Sequence, residues 1–189
     1  FQVREENGCF GCDLRCAGYC IKDEKYALPG LPAAYGEGQT LEILLRDQRL
    51  GLEVTLLYGV LEECDVITRS VKVQKVAGEE CGGKVYLEKV SSACLDFLHG
   101  QFDFITFYGR HAMERNLQRA RISHGKQSVG STRGASSHQY NPFVILARSE
   151  TSEETGECYG ASFVYSGSFS AEAEKDQYDQ IRFVMGLSE

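Results

Sequence analysis

The feature that most constrains the fold of this chain is the alternation of apolar and polar residues with a period of two. Apolar side chains occupy alternate positions in residues 41–45, 52–58 and 66–73. Successive side chains of a β-strand point to opposite faces of the sheet, so the pattern predicts strands with at least one buried face.

Further segments rich in β-branched and aromatic residues continue the series, namely residues 1–4, 102–108, 142–146, 159–169 and 181–185. Turn sequences separate them at Asn7-Gly8, Gly36-Glu37-Gly38 and Gly82-Gly83. Strands that follow one another at short spacing, without amphipathic helices between them, favour a large antiparallel sandwich over a βαβ fold. The acidic residues 150–156 are typical of an exposed loop.

Residues 110–122 are an exception, because Met113, Leu117 and Ala120 recur there at helical spacing. From the residues alone the segment could be either a helix or an extended strand.

Length and charge exclude several classes of protein. With 189 residues, of which 42% are hydrophobic, we expect one domain spanning residues 1–189. Lysine and arginine total 20 against 27 acidic residues, and this net charge of -7 disfavours nucleic acid and anionic membranes as partners. No run of about 18 apolar residues occurs that could form a membrane-spanning helix.

The sequence starts at Phe1, and residues 1–4 resemble a strand rather than the charged start and apolar block of a secretion signal, so we expect the true N-terminus to lie upstream. The first residues therefore say little about location. We expect a cytoplasmic protein, because the cysteines discussed next are typical of free thiols in a reducing compartment.

Eight cysteines offer an alternative, a metal site. Four of them form a C-x2-C-x3-C-x3-C pattern at Cys9, Cys12, Cys16 and Cys20, which could ligate zinc or an iron–sulfur cluster. On a strand, however, Cys16 and Cys20 would lie roughly 13 Å apart, and the glycines of this segment make a helix costly. We therefore interpret the cysteines as free thiols, typical of the reducing cytoplasm, and expect no metal or other cofactor.

Catalytic groups within the chain are equally weak candidates. Ser136, Ser137 and His138 are adjacent, and Asp176 or Asp179 could complete a triad, but neighbouring side chains of a strand point to opposite faces. The glutamate pairs at 62–63, 79–80 and 153–154 are typical of solvated surface rather than of a glycosidase acid/base pair. We predict no catalytic residue in this chain.

Two segments carry a resemblance to a known family. Residues 133–143 read R-G-A-S-S-H-Q-Y-N-P-F, and residues 156–169 read G-E-C-Y-G-A-S-F-V-Y-S-G-S-F. Together they resemble the signature of the domain that precedes the catalytic barrel in bacterial α-galactosidases of glycoside hydrolase family 36. Similar text occurs in the same order at residues 13–15, 28–35, 51–56, 65–70, 92–97, 114–115 and 174–177. Cys16, Cys20 and Ser168 depart from the family's pattern, and Ser168 stands where an asparagine is expected.

This resemblance implies more than the periodicity does. It implies an all-β, galactose-mutarotase-like β-supersandwich that lacks its first strands and is followed, outside this chain, by a (β/α)8 barrel with the two catalytic aspartates. The parent enzyme would be a retaining hydrolase of terminal α-D-galactosides such as melibiose and raffinose. The partners implied are the parent's own barrel and neighbouring subunits of a homo-oligomer, with a tetramer plausible, and the galactoside would bind at the barrel.

A role follows for the first signature segment. Arg133, His138 and Asn141 can form directional hydrogen bonds, while Tyr140 and Phe143 supply apolar contact area. We expect these five residues to brace the sandwich against the barrel or a neighbouring subunit; the alternative is that they only hold the sandwich together internally.

Two other classes of function stay open at this point. One is a free-standing carbohydrate-binding module, for which ten tyrosines and ten phenylalanines are available but no tryptophan. The other is a mutarotase-like enzyme, which needs an acid and a base facing a sugar.

Overall fold

A computed structural model describes residues 1–76, 83–135 and 139–188 of the chain. These residues form thirteen β-strands and one 3-10 turn at Glu62–Cys64, and no α-helix occurs among them. The strands are β1 (Gln2–Glu5), β2 (Arg15–Lys22), β3 (Gln39–Asp47), β4 (Leu52–Leu61), β5 (Val66–Lys75), β6 (Val85–Phe97), β7 (Phe102–Arg110), β8 (Met113–Arg121), β9 (Gly125–Ser131), β10 (Phe143–Arg148), β11 (Cys158–Ser162), β12 (Phe169–Lys175) and β13 (Ile181–Leu187).

The chain divides into two compact units, Phe1–Val90 and Ser91–Glu189. The first unit contains an antiparallel sheet in the order β2-β3-β4-β5, together with β1, which pairs antiparallel with the beginning of β6. Val3, Leu50, Leu52 and Val54 are buried in one cluster. Since Val3 belongs to β1 and Val54 to β4, the β1–β6 pair packs on the four-stranded sheet.

The second unit is a sandwich of two layers. One layer is the antiparallel sheet β11-β10-β7-β8, and the other contains the antiparallel pair β12–β13. Inward-facing side chains of both layers form a single core, which includes Phe102, Phe104, Val144, Leu146, Phe169, Ala171, Phe183 and Met185. Packing two sheets face to face in this way buries one face of each strand. The predicted all-β antiparallel sandwich is confirmed.

The predicted strands at residues 41–45, 52–58, 66–73, 102–108, 142–146 and 181–185 all lie within or overlap observed strands. Residues 110–122 are extended, since β8 returns along β7 after a turn in which Ala112 has a φ of 60°. Asn7-Gly8 forms the expected turn, with a φ of 87° at Gly8, and residues 150–156 form a largely exposed loop. Gly82 and the Glu79-Glu80 pair lie outside the described residues.

The prediction of one strand over residues 159–169 is wrong. β11 ends at Ser162, and a new strand of the other layer, β12, begins at Phe169. The backbone N–H of Phe163 still donates to the carbonyl of Pro142 (2.8 Å), after which the chain leaves that sheet and turns through Gly167. Aromatic and β-branched residues at both ends and in the middle give the segment a strand-like composition, although residues 163–168 connect the two layers.

No helix that could span a membrane is found in the described part of the chain.

Asp47 fixes the connection between β3 and β4 in the first unit. Its side chain is 2% exposed, and its carboxylate accepts hydrogen bonds from the backbone N–H groups of Leu50 (2.9 Å) and Asp13 (2.7 Å). Burial by itself raises the pKa of Asp47, but these hydrogen bonds and the nearby Arg49 guanidinium outweigh it, so that the net pKa is lowered. The charged carboxylate therefore joins the turn to the segment before β2.

A lowered pKa in the folded state predicts how stability depends on pH. The contribution of Asp47 is fully present above its unfolded pKa of about 4 and is lost as the pH falls through the folded pKa. We expect Asp47→Asn to lower the free energy of unfolding at pH 7, because an amide nitrogen replaces one acceptor oxygen. The difference from the wild type should shrink below about pH 4 in urea unfolding curves. The control is Asp13→Asn, whose exposed carboxylate pairs only at the surface with Arg15; an equal loss in both variants would contradict this role of Asp47.

Candidate functional site

The two signature segments of the sequence meet in the second unit. Phe143 of β10 pairs with Ser162 of β11, and the turn before β10 is tied to the segment after β11 by the Phe163–Pro142 hydrogen bond. A third link joins the backbone N–H of Gly134 to the Ser168 hydroxyl at 2.9 Å. Residues 133–143 and 156–169 therefore contact each other, although the sequence places them in separate segments.

The end of the first segment is held against β7. The backbone N–H of Gly109 donates to the carbonyl of Gln139 (3.1 Å), and that of Asn141 donates to the carbonyl of Phe107 (3.0 Å). Tyr140 and Tyr108 form an isolated antiparallel bridge between these two bonds. The segment thus extends the pairing of β10 with β7 beyond the strand end.

Phe143 lies on the outer face of this sheet, away from the core. Val144 and Leu146 belong to the core, and alternation along the strand places Phe143 and Ile145 on the opposite face. The Phe143 ring stacks on that of Phe107, with 5.7 Å between centroids and 25° between planes. A Cβ atom at Gly160 would lie only 3.3 Å from the Phe143 ring, so the missing side chain of Gly160 leaves room for the ring.

Arg133 belongs to a separate turn. The Ser131 hydroxyl donates to the carbonyl of Ala135 (2.7 Å) and accepts from the backbone N–H of Arg133 (3.4 Å), while the Arg133 side chain is exposed. Within the described residues, no hydrogen bond or ion pair joins its guanidinium to Tyr140, Asn141 or Phe143. The structure therefore brings three of the predicted interface residues together and leaves Arg133 on the neighbouring turn; His138 lies outside the described residues.

An open groove adjoins Tyr140. Its volume is about 270 Å³, and it is lined by Tyr108, Gly109, Gln118, Gln139 and Tyr140. Tyr108 and Gln118 were not predicted as site residues. Tyr108 and Gln118 lie beside Tyr140 because of how β7 pairs with β8 and with residues 139–141. The register between segments that are distant in sequence cannot be recognised from a local sequence pattern.

The cysteines are dispersed rather than clustered. Cys9, Cys12, Cys16, Cys20, Cys64, Cys94 and Cys158 carry free thiols, and Cys81 lies outside the described residues. In residues 1–76, 83–135 and 139–188, no three His, Cys, Asp or Glu side chains are grouped closely enough to hold a metal ion. Burial, followed by the Asp47 carboxylate, raises the pKa of the Cys12 thiol, which opposes the thiolate form that a metal needs.

The acidic residues weighed as catalytic candidates have structural partners instead. Asp176 accepts hydrogen bonds from the backbone N–H groups of Tyr178 (2.8 Å) and Gln180 (2.9 Å), which close the turn between β12 and β13. Asp179 pairs with Lys175 at 2.8 Å and lies 3.3 Å from His124, and the hydrogen bond from Lys175 lowers the pKa of Asp179. Ser136 and Ser137 lie outside the described residues.

The comparison with protein families decides the assignment. Residues 1–189 match the glycosyl hydrolase family 36 N-terminal domain. The chain belongs to this family.

Relatives of the family 36 domain agree over its whole length. The bifunctional α-galactosidase/sucrose kinase AgaSK of Mediterraneibacter gnavus is 53% identical over 99% of this chain, which covers 20% of that protein. The α-galactosidase AgaA of Geobacillus stearothermophilus is 42% identical over 100% of this chain and 26% of its own length. The chain thus spans about a quarter or less of these curated relatives.

Solved structures show the same fold. The galactosidase domain of AgaSK superimposes with a TM-score of 0.93 at 52% identity, over 99% of this chain and 26% of that one. AgaA from Geobacillus stearothermophilus gives the same TM-score of 0.93 at 42% identity, over 99% of this chain and 26% of that one. A variant of AgaA was solved in complex with raffinose, with the same coverage.

The hydrogen bond between the two signature segments can be tested in this family 36 domain. Ser168→Ala removes the acceptor of the Gly134 N–H, and we expect a loss of about 0.5–1.5 kcal/mol in the free energy of unfolding. Amide hydrogen exchange at Gly134 should become faster, as measured by NMR. The exposed neighbour Ser166 provides the control substitution Ser166→Ala; exchange at Gly134 that stays unchanged in Ser168→Ala would show that the bond does not hold this turn.

Proposed function

We propose that this chain is the non-catalytic N-terminal domain of an α-galactosidase, and that both of its compact units serve as one domain. The observation that carries the proposal is the coverage: relatives named as α-galactosidases match nearly all of this chain, while the chain covers only 20% to 26% of their length. The family match also runs through both units. The catalytic carboxylates would then belong to the remaining part of the parent, a (β/α)8 barrel.

The parent would hydrolyse terminal α-D-galactosides such as melibiose and raffinose with retention of configuration. Its relatives carry α-galactosidase in their names, and one was solved with raffinose. Retaining glycosidases use two carboxyl groups about 5–5.5 Å apart. In the described residues, Asp47, Asp103, Asp176 and Asp179 are instead occupied by backbone N–H groups or by cationic side chains.

If the catalytic carboxylates lie outside this chain, the chain alone should be inactive. The 189-residue chain should show no hydrolysis of p-nitrophenyl α-D-galactoside above the buffer rate, whereas the parent polypeptide should hydrolyse it with retention, as followed by absorbance and by NMR of the first anomer released. Hydrolysis by the chain alone, with a rate proportional to its concentration, would contradict the proposal.

Within the parent, we propose that the signature segment braces this domain against the barrel or a neighbouring subunit. Arg133, His138, Tyr140, Asn141 and Phe143 are the residues assigned to that contact. The apolar surface comes from the Phe107–Phe143 stack and from Leu117, which pairs opposite Phe107 and is 60% exposed. Phe107 and Phe143 are half-buried, and apolar groups that adjoin one another on an accessible sheet face favour an interface. The exposed guanidinium of Arg133 can reach a carboxylate or carbonyl beyond this chain.

We further propose that the parent forms a homo-oligomer, for example a tetramer, and that it is located in the cytoplasm. Support for the location is the exposure of six free thiols, Cys9, Cys16, Cys20, Cys64, Cys94 and Cys158. Exposed thiols persist in reducing compartments and are lost to oxidation outside them.

Comparing the parent with the isolated chain separates bracing from internal packing. We expect Arg133→Ala and Leu117→Ala to lower the melting temperature or the oligomer mass of the parent, because both remove exposed groups from the proposed contact. The same variants should leave the melting temperature of the 189-residue chain nearly unchanged, since surface substitutions usually change stability by less than about 0.5 kcal/mol. The control is Arg15→Ala, at an exposed arginine of the first unit.

Differential scanning calorimetry measures the melting temperature, and light scattering measures the oligomer mass. An equal fall in the parent and in the isolated chain would mean that the segment only packs the sandwich internally. No change in either protein would remove Arg133 and Leu117 from the interface.

A further inference from the structure

The groove beside Tyr140 has four other lining residues to which the bracing role assigns nothing. We call it the tyrosine groove and define it by Tyr108, Gly109, Gln118, Gln139 and Tyr140. All five residues belong to the second unit. The side chain of Gln118 is exposed, and the two tyrosines are 45% and 38% exposed, so the groups that line the groove are accessible to a ligand.

The chemistry of the lining is selective. The described residues of the lining supply two phenol rings, two carboxamides and a glycine backbone, and none of them is an Asp, Glu, Lys, Arg or His. A carboxamide both donates and accepts hydrogen bonds, and so does a phenol hydroxyl. The rings add apolar surface with a polar tip.

A neutral sugar matches this combination. A pyranose ring has a face of C–H groups that can lie on an aromatic ring, and its hydroxyl groups both donate and accept. An anionic ligand would find no cationic side chain among the described residues of the lining, and a purely apolar ligand would cover the exposed Gln118 amide without satisfying it, which is costly. The groove has room for about one ring, since ligand pockets for larger molecules begin at about 300 Å³.

The backbone holds these side chains in place before a ligand arrives. Gly109 and Asn141 donate to Gln139 and Phe107, on either side of the Tyr108–Tyr140 bridge. The Asn116 side-chain amide donates to the carbonyls of Tyr108 (3.3 Å) and Met113 (3.0 Å), which secures the β7–β8 hairpin. A Cβ atom at Gly109 would lie 2.6 Å from the Met113 carbonyl oxygen, so only glycine permits the close approach of the hairpin at this point. A groove built on paired strands costs less ordering on binding than a groove built on a loop.

We propose that the tyrosine groove binds one neutral pyranose unit of a saccharide, separately from the active site of the parent enzyme. Tyr108 and Tyr140 provide the apolar walls, and Gln118 provides hydrogen bonds to ring hydroxyls. The choice of a galactoside as ligand rests on the proposed function; the choice of a neutral sugar rests on the groove alone. Such a site would hold the catalytic part of the enzyme near galactoside chains.

Tyr140 belongs both to the signature segment and to the groove, so the two proposals need separate tests. Bracing is tested at Arg133 and Leu117, neither of which lines the groove. Sugar binding is tested at Gln118, Tyr108 and Tyr140. A sugar that binds with Arg133 and Leu117 both replaced shows that the groove acts independently of the interface.

The experiment is an NMR titration of the 15N-labelled 189-residue chain with raffinose. We expect saturable shifts at the backbone amides of residues 108–109, 118 and 139–140 and at the Gln118 and Gln139 side-chain amides, with a Kd on the order of 1 mM, typical of a small open site. Gln118→Ala, Tyr108→Ala and Tyr140→Ala should each weaken binding by about tenfold or more. The control is Tyr178→Ala, at a tyrosine that is 72% exposed on a turn of the same unit.

Three results would overturn the proposal. They are the absence of saturable shifts at raffinose concentrations well above 1 mM, saturable shifts confined to another surface, and equal weakening by Tyr178→Ala. Gln118→Ala keeps the test decisive if either tyrosine variant misfolds, because Gln118 is an exposed residue of a paired strand. If raffinose binds at the groove but the parent polypeptide hydrolyses no α-galactoside, the proposed function fails and the sugar site stands; hydrolysis without binding gives the opposite outcome.

Discussion

The structure of the second unit depends on one constraint, the apolar core shared by its two sheets. Phe102, Phe104 and Leu146 from one layer meet Phe169, Phe183 and Met185 from the other, and all six are at most 5% exposed. Every strand that contributes to this core buries one of its two faces in it. Groups that act on other molecules are therefore confined to the outer face, to the strand ends and to the turns, which is where Arg133, Tyr140 and Phe143 lie.

The position of the signature segments follows from this constraint. Residues 139–143 continue β10 along β7 past the end of the core, so that Tyr140 faces a groove and Phe143 stacks on the outer face. The adjoining turn at Arg133 is fixed by the hydroxyl groups of Ser131, which donates to the carbonyl of Ala135, and of Ser168, which accepts from the backbone N–H of Gly134. Serine, histidine and arginine occur together in this segment; Arg133 is exposed, whereas Ser136, Ser137 and His138 lie outside the described residues.

Some of the fold could be predicted from the sequence because the signal is local. The alternation of apolar and polar residues in 41–45, 52–58 and 66–73 depends only on which face of a strand is buried. These residues lie in β3, β4 and β5. β6 and β9 were not predicted, because V-Y-L-E-K-V-S-S-A-C-L-D-F has small polar residues at its centre and G-K-Q-S-V-G-S has few β-branched residues. The Arg-rich β8 is an edge strand stabilised by pairing with β7, and charged residues are common on such edges. Register between distant segments, which places Tyr108 beside Tyr140 and Gly134 beside Ser168, has no local signature at all.

We propose that residues 1–189 form the scaffold of an α-galactosidase and contain none of its catalytic groups. The most direct test is to label the parent polypeptide with a mechanism-based galactose analogue that traps the carboxylate nucleophile of a retaining enzyme, and to locate the modified residue by peptide mass spectrometry. The account predicts one labelled aspartate downstream of residue 189 and unmodified peptides throughout residues 1–189. A label on any carboxylate within residues 1–189 would contradict it.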